Sequence, residues 1–139
     1  MQINGSAALD LAGHGLVSVT KADGTSEDYE LQYIQFKSPS EHCFDFKRYE
    51  VEMQMYLAKP GETEIAAAIA VFWDQSVNNE DKGLTSCNFI QALHADQAFK
   101  SEKTMVFDLK LKSRLGGYDF RTFYSYEGSL TNPPCTEGI

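Results

Sequence analysis

Two stretches of alternating sequence place polar side chains where chemistry could be done. Gln35 and Lys37 stand two residues apart within residues 29–37, and Glu52 and Gln54 stand two apart within residues 49–58. In an extended strand, residues i and i+2 point to one face, so the members of each pair lie side by side. An amide beside an ammonium, and a carboxylate beside an amide, can exchange hydrogen bonds and balance charge. They make a poor metal site. Catalytic zinc takes imidazole, thiolate or carboxylate and keeps one position open for water. A glutamine amide is a feeble ligand, and a lysine ammonium beside a dication is repelled until it deprotonates. The three cysteines, Cys43, Cys87 and Cys135, have no C-x-x-C spacing. Their odd count leaves one thiol free or paired outside the chain.

The elements that must position these residues are mostly strands. Residues 16–21 form a short β candidate closed by Ala22-Asp23-Gly24. Residues 29–37 form a longer one that stops at Ser38-Pro39-Ser40, where proline cannot donate to a ladder. Residues 49–58 alternate, with Tyr49, Val51, Met53, Met55 and Leu57 on one face and Glu50, Glu52, Gln54 and Tyr56 on the other. Residues 65–74 are nearly continuous in apolar character, which suits a strand buried on both faces. Residues 85–97 carry Phe89, Ile90 and Leu93 at helical spacing, with Ser86 as an N-cap. His94 on that segment is given no role. Residues 105–112 alternate again, residues 118–126 read as extended and aromatic, and residues 127–139 read as irregular loop. The expected class is mainly β (α+β), a mixed, mostly antiparallel sheet with few peripheral helices.

The sequence has 139 residues, enough for one domain with a modest core. Twelve basic against 20 acidic residues give a net charge of −8. That balance disfavours nucleic acid and anionic membrane surfaces as partners, since both demand a basic patch. No apolar run is long enough to span a bilayer, so no membrane insertion is expected. Residues 1–11 lack the charged start and apolar stretch of a signal peptide. One short sequon, Asn4-Gly5-Ser6, carries little weight.

Two runs are specific. The first is Leu31-Gln-Tyr-Ile-Gln-Phe-Lys-Ser-Pro-Ser-Glu-His42, followed by Asp45-Phe-Lys-Arg-Tyr-Glu-Val-Glu-Met-Gln54. The second is Tyr124-Ser-Tyr-Glu-Gly-Ser-Leu-Thr-Asn-Pro-Pro-Cys-Thr-Glu-Gly-Ile139. Together they resemble α-type carbonic anhydrases, which carry a Q-F-H-F-H strand, then S-E-H, then Y-x-x-E-x-H, and later Y-x-G-S-L-T-x-P-P. The Gly13-His14 pair resembles the family's N-G-H segment. The resemblance covers most of the chain from about Gly13 onward and implies the family's large twisted sheet.

The resemblance also implies roles, and departures from them. Gln35, Lys37 and Gln54 occupy the family's three zinc-ligand positions. No metal or other cofactor is therefore expected, and no carbon dioxide hydration. Thr131 matches the threonine that orients zinc-bound hydroxide, and Glu41 the glutamate that accepts its proton. Glu52 matches the carboxylate behind a zinc-binding histidine. His42 and Tyr126 match residues that brace that carboxylate, and His14 falls where active members place a proton shuttle. Cys135 falls where secreted members place half of a disulfide; here it is expected free, or bridged to Cys87 or Cys43. Family habit points to a secreted or organelle-lumen setting.

The expected function is a non-catalytic domain serving as a structural or interaction module, with other protein chains as partners. The alternatives are a pocket for a small molecule or anion near Lys37, and a hydratase with a displaced metal on His14, His42 and a carboxylate. Lys37 is expected to replace the metal's charge by pairing with Glu52 or another carboxylate. The family domain is longer than this chain, so a fragment or a truncated domain that covers its open edge with a partner is expected.

Overall fold

A computed structural model describes residues 8–10, 16–20, 24–74 and 123–139. The chain clusters into two compact units, Met1–Asp74 with Tyr126–Ile139, and Gln75–Ser125. The strands of the first unit are β1 (Ala8–Asp10), β2 (Leu16–Thr20), β3 (Ser26–Lys37), β4 (Cys43–Phe44), β5 (Lys47–Arg48), β6 (Val51–Ala58) and β7 (Ile65–Trp73). Every described pairing is antiparallel. The main sheet runs β1-β3-β6-β7, and β2 pairs with the early part of β3. The expected helix at 85–97 and strand at 105–112 lie outside the described residues.

The sheet separates an apolar face from a polar one, and a bulge makes the separation possible. Strict alternation would put Leu31 and Tyr33 on the same side of β3. The β3–β6 register instead shifts between them, pairing Leu31 with Leu57 and Tyr33 with Tyr56. Gln32 is the extra residue, and one extra residue turns everything after it to the opposite face. Leu31, Ile34 and Phe36 then stand opposite Leu57, Met55 and Met53, while Tyr33, Gln35 and Lys37 stand opposite Tyr56, Gln54 and Glu52. Ile34, Met53 and Leu57 have no solvent exposure. Fully burying a side chain of this size stabilises the fold by about 1.5–3 kcal/mol.

The central strand of this arrangement is β6, and its residues 52–58 are all buried. The sequence pattern assigns burial on both faces to residues 65–74, and the structure corrects this. β7 forms as expected, but only Val71 and Trp73 are buried and Ala68 is exposed. β7 is last in the described strand order, and small alanines stand opposite Gln54 and Tyr56. β6 has a neighbour on each side and takes the burial.

The β4–β5 hairpin was not legible as strand. Its two-residue loop, Asp45-Phe46, has φ of 48° and 64°. Such loops favour glycine because both residues adopt left-handed backbone. Phe44 packs edge-on against Tyr49 and Phe72, at 5.8 and 5.2 Å between ring centroids. Phe46, by contrast, is fully exposed. Phe46→Gly is therefore expected to raise the unfolding free energy by up to about 1 kcal/mol, seen as a higher urea midpoint. Phe44→Ala is expected to lower stability by about 2 kcal/mol in the same assay. A loss on Phe46→Gly would show that Phe46 makes stabilising contacts.

Candidate functional site

The polar pairs read from sequence meet in one cluster. Gln35 stands opposite Gln54, and Lys37 opposite Glu52. Opposed residues of an antiparallel pair share a face. The turn at residues 38–42 and the segment Tyr126–Ile139 supply the remaining groups.

Glu52 has no solvent exposure. Its Oε2 accepts from the backbone N–H groups of Glu41 at 2.7 Å and His42 at 3.1 Å. Its Oε1 lies 2.6 Å from His42 Nδ1 and 2.6 Å from Gln54 Nε2. The turn can aim those two backbone groups because Ser40 pins it. Ser40 is fully buried, its N–H donates to the Tyr49 carbonyl at 2.9 Å, and its hydroxyl accepts from the Tyr49 N–H at 2.8 Å. The Ser40 hydroxyl also donates to the His42 carbonyl at 2.7 Å. Burial pushes the Glu52 carboxyl up, but the hydrogen bonds from His42, Gln54 and the His42 backbone outweigh it and hold it below the usual 4.5. The Glu52 hydrogen bond raises the His42 imidazole above its usual 6.5, burial opposes, and the charges of Glu52 and Glu41 add to the rise.

Gln54 distributes the rest. Its Nε2 donates to Glu52 and, at 3.0 Å, to the Thr131 hydroxyl, with Glu41 Oε2 at 3.3 Å. Its Oε1 accepts from the Tyr56 hydroxyl. These neighbours fix which end of the amide is which. Thr131 donates its own proton to Glu41. The Tyr56 hydroxyl is also 3.2 Å from Gln35 Oε1. Burial, then the charges of Tyr33 and Glu41, push the Tyr56 phenol up to about 12, so it remains a donor. The Tyr33 and Tyr56 rings stack at 4.5 Å. Lys37 Nζ lies 3.2 Å from Glu41 Oε1. Its partner is Glu41 and not Glu52, because backbone N–H groups, His42 and Gln54 already occupy Glu52.

The same arrangement of strands and turn has counterparts. The profile of the eukaryotic-type carbonic anhydrase family matches residues 3–139. This chain belongs to the eukaryotic-type carbonic anhydrase family. Among curated carbonic anhydrase relatives, it is 32% identical to a carbonic anhydrase of Klebsiella pneumoniae over 99% of this chain and 54% of that protein. It is 34% identical to dioscorin DB3L of Dioscorea polystachya over 96% of this chain and 48% of that protein. The solved α-carbonic anhydrase of Photobacterium profundum superposes with a TM-score of 0.60 at 29% identity, covering 94% of this chain and 58% of that one. An Aspergillus oryzae α-carbonic anhydrase gives the same TM-score at 25% identity, covering 96% and 56%. The chain spans about half the length of the curated relatives it matches.

In this carbonic-anhydrase-type sheet, Gln35, Lys37, Glu41, His42, Glu52, Gln54, Tyr126 and Thr131 fall into one connected hydrogen-bonded group. His14 and Cys87 lie outside the described residues. Cys43 and Cys135 are both free and exposed, so they do not bridge each other. Sequence reading gave no role to Ser40, Tyr33 or Tyr56, nor to Asn132, whose Oδ1 lies 3.4 Å from the Tyr56 hydroxyl. Tyr56 was within reach of it, since it follows Glu52 and Gln54 at the same period of two. Ser40 was not, because its role depends on the backbone of Tyr49.

The two shifts set a pH window for stability. The raised His42 contributes stability that is complete below about 6.5 and is lost as pH rises through its folded value. The lowered Glu52 contributes stability that is complete above about 4.5 and is lost as pH falls through its folded value. Urea unfolding is expected to show the combined contribution at its fullest between those values, and His42→Gln should flatten the alkaline side. Glu52→Gln is expected to cost about 3 kcal/mol near neutral pH, because its amide N–H groups would face donors. A variant as stable as the parent would show that the charge is not needed.

Proposed function

We propose that this chain is a carbonic-anhydrase-type domain without hydratase chemistry, acting as a structural or protein-interaction module. One observation carries the reading: the three positions that resemble the family's zinc ligands hold Gln35, Lys37 and Gln54, and their polar groups are turned to one another and to neighbouring side chains. The Gln54 oxygen is held by Tyr56 and its nitrogen by Glu52, while the Lys37 ammonium is held by Glu41. A zinc ion here would meet two amides and an ammonium, a donor set that does not fit it. Without such an ion, nothing lowers the pKa of a water toward neutrality to supply the hydroxide.

The same geometry argues against the alternatives. Glu41 takes up the Lys37 charge that an anion would need. Both ring nitrogens of His42 face partners, Glu52 and Tyr126, which leaves it poorly placed to ligate a displaced metal. The expected partners are other protein chains.

Metal analysis of the purified chain and a carbon dioxide hydration assay test this reading. The expected result is no stoichiometric zinc and no hydration above background. Stoichiometric zinc with sulfonamide-sensitive activity would overturn it. The combined variant Gln35→His, Lys37→His and Gln54→His is expected to gain zinc affinity by at least about 100-fold, since the β3–β6 register already places the three side chains on one face.

A further inference from the structure

His42 does more than donate to Glu52. Its Nε2 lies 2.6 Å from the Tyr126 hydroxyl. With the ionised Glu52 accepting at Nδ1, that nitrogen carries the ring proton, so the neutral ring offers its Nε2 lone pair to the Tyr126 O–H. A buried carboxylate, an imidazole and a hydroxyl stand in the order that activates a hydroxyl for attack. The outer end of this series is reachable: Tyr126 is 63% exposed, whereas Glu52 is sealed. The imidazole is steadied by edge contacts with Phe72 and Tyr126, each at 5.9 Å between centroids. The contact with Glu52 uses only Nδ1, which leaves Nε2 to the Tyr126 hydroxyl.

We propose that Tyr126 is a covalent acceptor site whose phenolic oxygen takes acyl groups from activated acyl donors such as acyl imidazoles, with His42 as general base and Glu52 as positioning residue. The Tyr126 oxygen attacks the acyl carbon as its proton passes to His42 Nε2. The bond between the acyl carbon and the donor's imidazole nitrogen breaks, and the leaving imidazole takes the proton back from His42. The products are an O-acyl tyrosine and neutral imidazole, with no oxidant or reductant involved. Among the described residues, the groups facing His42 are Glu52 from β6, Glu41 from its own turn, Tyr126 from the C-terminal segment and the Phe72 ring from β7. Glu52 and Glu41 both favour the imidazolium, so the base is neutral, and the site fastest, on the alkaline side of the His42 titration. This inference does not depend on whether the domain binds zinc.

N-acetylimidazole supplies the probe, with peptide mass spectrometry to locate acetyltyrosine and N-acetyltyrosinamide as an internal reference. Tyr126 is expected to react at least about 10-fold faster than the reference and than the more exposed Tyr124. Its rate should rise through the His42 titration and then level, while the reference rises steadily toward the phenol pKa near 10. His42→Gln should bring Tyr126 down to the reference rate. The pH profile of the unaltered chain decides the matter independently of how that variant folds. A Tyr126 rate equal to the reference, or a profile that tracks it, overturns the proposal.

Discussion

A carboxylate removed from water must find its hydrogen bonds in the protein, and among the described residues Glu52 finds four. Leaving such a group unpaired costs several kcal/mol, so its surroundings are not free to vary. Two of the donors are consecutive backbone N–H groups, which fixes the path of the turn at residues 38–42. That path requires Ser40 to be buried and tied to Tyr49. The third donor sets the ring of His42 and, through it, the position of Tyr126 at the start of a segment far along the chain. The fourth is Gln54, whose amide joins β6 to Thr131. The polar face of the sheet is organised outward from one buried charge.

Charge balance around that face is local. Glu41 and Glu52 bring two negative charges, Lys37 brings a positive one, and His42 leans toward a second. Lys37 pairs with Glu41 across 3.2 Å, and Glu41 is about a third exposed, so solvent screens part of the attraction. In our reading this pair and the Gln54 amide take over the balancing that a cation would perform in a zinc-bearing relative. The apolar face built on Ile34, Met53 and Leu57 lies on the other side of the sheet from this cluster.

Much of this was legible in the sequence, and the rest was not for identifiable reasons. Period-two alternation places Glu52, Gln54 and Tyr56 on one face of β6, and Gln35 with Lys37 on one face of β3. Resemblance to the carbonic anhydrases brings Glu41, His42, Tyr126 and Thr131 to the same cluster, where the structure finds them. The bulge at Gln32 has no glycine or proline to announce it; it is imposed by the need to put Leu31 with the apolar set. The burial of β6 rather than β7 follows from strand order, which alternation does not encode. The Asp45-Phe46 loop escaped notice because the residue that its backbone favours, glycine, is missing. The choice of Glu41 over Glu52 as the partner of Lys37 depends on how many donors the turn supplies, a tertiary count that no spacing reveals.

In the proposed reading, the side chains at the three ligand-like positions are committed to internal partners and not poised for a metal. Side-chain amide NMR of Gln54 and Gln35 during a zinc titration addresses it most directly. The Gln54 amide protons, donors buried against Glu52 and Thr131, are expected to exchange slowly with solvent, and neither resonance is expected to move on adding one equivalent of zinc. A shift of both resonances that saturates at one equivalent would contradict it.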